Sequence, residues 1–107
     1  MEFLTYSPET SLDDILADSH RNPQVIFKHS TRCIISSMAL KRLKLDQKLN
    51  VTVWVLDLLN HREISNSLAA HFGIPHQSPQ MFVLVKGQMK GSATHEKIDC
   101  DFIQNHL

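Results

Sequence analysis

Three stretches of the chain carry apolar patterns strong enough to assign first. "QVIFKH" (residues 24–29) and "NVTVWVLDLL" (50–59) are strand-length runs rich in β-branched and aromatic residues. The second is mostly apolar, as a central strand covered on both faces should be. Between them "CIISSMALKRLKL" predicts a helix from about Cys33 to Leu45. Ile34, Met38 and Leu45, with Ile35, Ala39 and Leu43 beside them, form a wide apolar face at helical spacing. Lys41, Arg42 and Lys44 crowd its last turns, where cations suit the helix dipole.

Polar punctuation supplies the remaining elements. Thr10, with Asp13 three residues on, reads as an N-cap opening a short helix through "SLDDILADS". Asn22-Pro23 breaks the chain, because a residue before proline avoids the helical region. Asn60 and Glu63 form a capping pattern for a helix through "REISNSLAAHF", stopped by Gly73 and Pro75. "QMFVLVKGQMKGSAT" reads as two strands around a Gly87 turn, and Asp99 caps a short closing helix in "DCDFIQNHL". The predicted order is αβαβαββα. A strand, crossover helix and second strand of these lengths pair in parallel with a right-handed connection. The terminal hairpin extends the sheet antiparallel. The expectation is a three-layer α/β/α fold, a mixed sheet with helices on both faces, arranged as in a thioredoxin-like domain.

Composition narrows the class. At 107 residues, with 42% hydrophobic and 21% charged content, the chain suits one globular domain over residues 1–107. Lysine plus arginine and aspartate plus glutamate number 11 each, so no broad basic surface points to nucleic acid. "VTVWVLDLL" is too short to span a bilayer and carries an aspartate. "MEFLTYSPET" lacks the basic and apolar regions of a signal peptide, so a cytoplasmic location is expected. The seven histidines show no zinc-like spacing with each other or with Cys33, so no metal site is expected. Trp54, inside the central strand, reads as core, and Asp57 as a strand-end aspartate. His71 and His76 flank a Gly-Ile-Pro turn and read as surface residues.

The chemistry concentrates at Cys33, where a strand hands over to a helix N-terminus. A thiol reacts as its thiolate, and the helix start contributes unpaired N–H groups and partial positive charge that favour it. Lys28, His29 and Arg32 precede it closely, and any one beside the sulfur would act the same way. Ser30 and Thr31 can cap the helix. A buried core cysteine is the bland alternative, but the polar residues just before Cys33 argue against deep burial. Position 36, where a dithiol oxidoreductase would carry a second cysteine, is a serine. Its hydroxyl can hydrogen-bond a thiolate but cannot form a disulfide. Chemistry at Cys33 therefore stops at a mixed disulfide until another thiol intervenes. Cys100, just after the Asp99 cap, is a candidate second redox thiol, although nothing local requires sulfur there.

"VIFKHSTRCIISSMA", followed by "FGIPHQSPQMFVLVKG", resembles the YtxJ-type monothiol bacilliredoxins of the thioredoxin-like superfamily. The matches fall at Lys28, His29, Ser30, Thr31, Cys33, Ile35, Ser36, Ser78, Pro79 and Gln80. Ile34 departs, standing where the family usually has proline. The resemblance implies removal of bacillithiol, or a similar low-molecular-weight thiol, from S-thiolated proteins, with Cys33 as attacking nucleophile. It implies no bound cofactor, the small thiol serving as co-substrate. It further implies that Pro79 is cis and packs against the cysteine, with Ser78 presenting backbone groups to a disulfide partner. The expected site is Cys33 and Ser36 for catalysis and Thr31, Arg32, Ser78 and Pro79 for substrate contact. Two other readings compete: a redox sensor or adaptor whose cysteine does not turn over, and an arsenate-reductase-like enzyme. The latter ranks below, because only Arg62 lies downstream of the Cys33 helix and no arginine closely precedes Pro79.

Overall fold

Alternation of side chains about one sheet organises the molecule. A computed structural model describes residues 1–45 and 48–107. The strands are β1 (Glu2–Thr5), β2 (Gln24–His29), β3 (Thr52–Asp57), β4 (Gln80–Val85) and β5 (Gln88–Thr94). The helices are α1 (Leu12–Asp18), α2 (Ile34–Leu45), α3 (Arg62–Phe72) and α4 (Cys100–Asn105), with a short 3-10 turn at His95–Lys97. The sheet order is β1-β3-β2-β4-β5. β3 pairs in parallel with β1 and β2, while β4 is antiparallel to both β2 and β5.

Odd and even positions of the central strands face opposite layers. Val25, Phe27, Val53, Met81 and Val83 pack with Ala39 and Leu43 of α2 and Ile103 of α4. Ile26, Leu56, Phe82 and Leu84 pack with Ile15 of α1 and Leu68 of α3. Each such large side chain contributes about 1.5–3 kcal/mol on burial, so these two layers dominate the stability of the fold. They also send the connections after β2 and β3 to opposite faces: α2 leaves β2 toward one layer, α3 leaves β3 toward the other. In an α/β sheet the crevice beyond the carboxyl ends of such a strand pair is a natural place for a ligand.

Several expectations are corrected in detail. The chain begins with a strand, β1, rather than with a helix. "EFLT" is short and largely exposed, and its place comes from pairing: the Glu2 N–H donates to the Val51 carbonyl and the Tyr6 N–H to the Val55 carbonyl. Ser11, not Thr10, caps α1 by accepting the Asp14 N–H, while the Thr10 hydroxyl accepts the Ser7 N–H in the preceding turn. At α3 the N-cap position is His61, with no side-chain cap bond, because Asn60 donates to Asp57 instead. Gly73 closes α3 in the left-handed conformation at φ 66°.

The apolar face of α2 is wider than the stripe it buries. Ser36, Ala39 and Leu43 face the core, whereas Ile34 is 75%, Met38 55% and Leu45 78% exposed. A helix lying on one sheet covers only its i, i+3, i+7 line, so the flanking apolar positions fall outside. In the β4–β5 turn, Lys86 and Gly87 both take positive φ, at 52° and 78°, the conformation of a two-residue type I′ hairpin.

Candidate active site

The parallel register of β2 and β3 sets the site. His29 is paired with Asp57 at the carboxyl end of both strands, and the Leu58 N–H donates to the His29 carbonyl at 3.1 Å. The chain then turns: the Cys33 N–H donates to the Ser30 carbonyl at 3.1 Å, and the Cys33 carbonyl accepts the Ser37 N–H at 3.0 Å. That bond is the first of the α2 ladder, so Cys33 itself holds the N-cap position. Ser30 and Thr31, expected as caps, lie ahead of it in the turn. Cys33 is a half-buried thiol, with the exposed Thr31 and Arg32 immediately before it and the exposed Ile34 immediately after.

Ser36 is fully buried. Its hydroxyl is hydrogen-bonded to His29 Nδ1 at 2.7 Å and accepts the Ser30 N–H at 3.0 Å. The hydroxyl is thus engaged with the end of β2, and no hydrogen bond links it to the Cys33 sulfur among the described residues. Burial lowers the pKa of His29, against the opposing charge of Asp57 and with a smaller contribution from Lys44. Asp57 is held in place by accepting the Leu59 N–H and the Asn60 amide.

Lys28 does not approach the cysteine. Its side chain is fully buried in the other layer, where Nζ donates to the Ser65 carbonyl at 3.0 Å and lies 3.4 Å from His76 Nδ1. It also sits 5.4 Å from the Phe82 ring centroid. Burial lowers its pKa to about 8. His76, read from sequence as a surface residue, is exposed but anchors this cluster, with Nδ1 also 3.1 Å from the Ser65 hydroxyl. Trp54 is half-buried against the α1/α3 layer and donates to the Gln24 side chain at 2.9 Å.

β4 brings the second motif to the same end of the sheet. Lys28 pairs with Gln80, so Pro79 and Ser78, one and two residues earlier, run alongside His29 and Ser30. The Ser78–Pro79 bond is cis, and Pro79 is buried. The Ser78 hydroxyl is buried with no hydrogen-bond partner among the described residues. Cys33, Ser36, Thr31, Arg32, Ser78 and Pro79 therefore share one edge of the molecule. Cys100 does not. It opens α4 and lies against Leu43, its sulfur 3.8 Å from the Leu43 carbonyl. Leu43 is ten residues along α2 from Cys33, so at about 1.5 Å per residue the Cα atoms of Cys33 and Leu43 stand roughly 15 Å apart. Disulfide formation needs Cα atoms within about 7 Å.

Sequence reasoning did not find the His29–Ser36 contact or the placing of Arg62 with Arg32 on one cleft. A serine on the buried stripe of α2 hinted at the first. No pattern marked the second, since only the fold brings the β3–α3 loop beside Arg32. Among the described residues no three histidine, cysteine or acidic side chains gather as a metal site, and no helix is long and apolar enough to cross a membrane.

The whole arrangement is a thioredoxin fold with a lone thiol at the α2 N-terminus. The Schistosoma mansoni thioredoxin pre-protein in its reduced form superposes with a TM-score of 0.76 at 17% identity, covering 100% of each chain. The short form of spinach chloroplast thioredoxin f gives 0.73 at 23% identity over 98% of this chain and 93% of that one. Arabidopsis thaliana thioredoxin O1 in its oxidised state gives 0.70 at 16% identity, covering 98% and 94%. The family described as monothiol bacilliredoxin BrxC matches residues 5–103, and the chain belongs to that family.

Proposed function

We propose that this protein is a monothiol–disulfide oxidoreductase that removes bacillithiol, or a similar low-molecular-weight thiol, from S-thiolated proteins. The observation that carries the reading is the half-exposed Cys33 at the α2 N-cap with a hydroxyl, not a second thiol, at position 36. The Cys33 thiolate attacks the small-thiol sulfur of a protein mixed disulfide. A bond forms between Cys33 and the small thiol, the protein–small-thiol bond breaks, and the protein leaves as a thiolate that takes a proton from water. No net oxidation occurs, so a second low-molecular-weight thiol or a reductase must regenerate Cys33. Thr31, Arg32, Ser78 and Pro79 form the contact surface for the thiolated protein. Ser78, preceding the cis bond to Pro79, offers its backbone groups to that protein. The small thiol is a co-substrate rather than a bound cofactor, and a reducing cytoplasm is the compartment in which the lone thiol would persist.

The test is incubation of the reduced protein with bacillithiolated, glutathionylated and coenzyme-A-modified target proteins, followed by intact-mass analysis. Transfer of one small thiol onto Cys33, with the target returned to its unmodified mass, is the expected result. Wild-type protein that alkylates at Cys33 yet accepts no thiol from any target would instead be a sensor or adaptor. Cys33→Ser should abolish transfer, while Cys100→Ser should retain most of it.

A further inference from the structure

At the turn that leads into Cys33, the crevice between the diverging connections of β2 and β3 is a cleft of about 320 Å³. It is lined by Thr31, Arg32, Leu59, Asn60 and Arg62. Its two walls are the loop entering α2 and the loop entering α3. The Leu58–His29 bond ties their bases together. Both arginines are exposed, and neither guanidinium has a carboxylate partner among the described residues. The acidic groups nearby are occupied elsewhere: Asp57 accepts from the Leu59 N–H and the Asn60 amide, and Glu63 faces His61 at 3.8 Å. The bond to Asp57 also fixes the Asn60 side chain at the rim. Two unpaired forked cations facing one small polar cleft are suited to carboxylate, which guanidinium binds in a bidentate manner.

We infer that this cleft is the subsite for the carboxylate-bearing end of the low-molecular-weight thiol whose sulfur is exchanged at Cys33. The inference rests on the thiol-exchange reading above and adds to it a ligand charge and a location. Arg32, adjoining the nucleophile, and Arg62, across the cleft on the first turn of α3, grip the anionic end. The thiol sulfur is thereby directed toward Cys33. A neutral or cationic small thiol finds no such hold.

Small disulfides test this without any protein substrate. Thiolation of Cys33 is followed by intact mass in a Cys100→Ser background, with glutathione disulfide as anionic probe and bis(2-hydroxyethyl) disulfide as neutral probe. The readout is the ratio of the two second-order rates, in which any general change in thiol reactivity cancels. Arg62→Gln is expected to lower the anionic-to-neutral ratio about threefold, as loss of one exposed ion pair would. Arg32→Gln combined with Arg62→Gln should lower it about tenfold, and added salt should narrow the wild-type preference. Lys90→Gln, a cation removed from β5, should leave the ratio within the scatter. An Arg62→Gln ratio equal to wild type overturns the inference, because the carboxylate then lies on the protein partner or nowhere. Equal loss in Lys90→Gln also overturns it, since the effect is then one of overall charge. If the ratio falls as expected but thiolated proteins are not reduced, the subsite stands and the proposed function fails.

Discussion

His29 Nδ1 and Ser36 Oγ meet at 2.7 Å, and the same hydroxyl accepts the Ser30 N–H at 3.0 Å. The contact fastens the last residue of β2 to the first turn of α2 and so defines the loop that carries Cys33. Sequence alone suggests that Ser36 serves the sulfur one turn earlier. In the fold its hydroxyl serves the loop instead. Ser36→Ala leaves the buried Ser30 N–H without an acceptor, a loss of about 1–3 kcal/mol. Urea unfolding at pH 7.5 should show a destabilisation of that size. No change would mean that the hydroxyl is dispensable to the loop.

The same pair gives the fold an acid-sensitive point. Burial holds the His29 pKa below its ordinary 6.5, and burial with the charges of Lys28 and Arg62 does the same for His76. For a group depressed in this way the unfolded chain binds the proton first. Its stabilising contribution is therefore intact above about pH 6.5 and is lost as pH falls through the folded value. His29→Asn keeps a group near the Nδ1 position but cannot titrate. Between pH 7.5 and 5.0 the wild type should lose stability more steeply than His29→Asn. Parallel curves would show that His29 carries no proton linkage.

The architecture was legible wherever periodicity and burial coincide. β2, β3 and β4 are apolar strands, the Lys86-Gly87 turn returns the chain as the more polar β5, and α4 starts after Asp99, whose side chain caps it. β1 was not legible, because four largely exposed residues carry no pattern and become a strand only by pairing with β3. The N-caps of α1 and α3 shifted for a related reason. Thr10 and Asn60 have the right side chains, but turns before each helix use them. At the site, Cys33 and its loop followed from order along the chain. The partners of Lys28 and His29 and the placing of Arg62 opposite Arg32 did not, since each is set by which strand face or neighbouring loop the fold presents.

Lys28 is the clearest case of a residue whose fold position reverses its apparent role. It reads as a cation for the cysteine, yet its ammonium is buried against the Ser65 carbonyl and the Phe82 ring. Its pKa is lowered from 10.5 to about 8, with desolvation as the cause. The unfolded chain holds the proton more tightly, so wild-type stability should rise with pH from about 8 toward 10.5. Lys28→Met removes the desolvated charge and should stabilise the protein at pH 7 by on the order of 1–3 kcal/mol. That gain should shrink between pH 8 and 9.5. A variant less stable than wild type at pH 7 would show that the Lys28 hydrogen bonds outweigh the cost of burying its charge.

The outcome of thiol transfer depends on which sulfurs can meet. Cys100 lies against Leu43, far along α2 from Cys33, so wild type has no neighbouring thiol to expel a small thiol once it is on Cys33. Position 36 is different. Residues three apart at a helix start stand about 5–6 Å apart at Cβ, a short adjustment from the roughly 3.5–4.5 Å that a disulfide spans. Ser36→Cys forgoes the bonds to His29 and Ser30, so the variant should be less stable by about 1–3 kcal/mol. Its new thiolate can still turn toward Cys33, attack the mixed disulfide there and release the small thiol as the two protein sulfurs join. After transfer from a thiolated protein, wild type and Cys100→Ser should each retain one added small thiol by intact mass. Ser36→Cys should instead show the loss of two hydrogens. Loss of two hydrogens in wild type, abolished by Cys100→Ser, would mean that α4 moves to bring Cys100 to the site and that the monothiol reading is wrong.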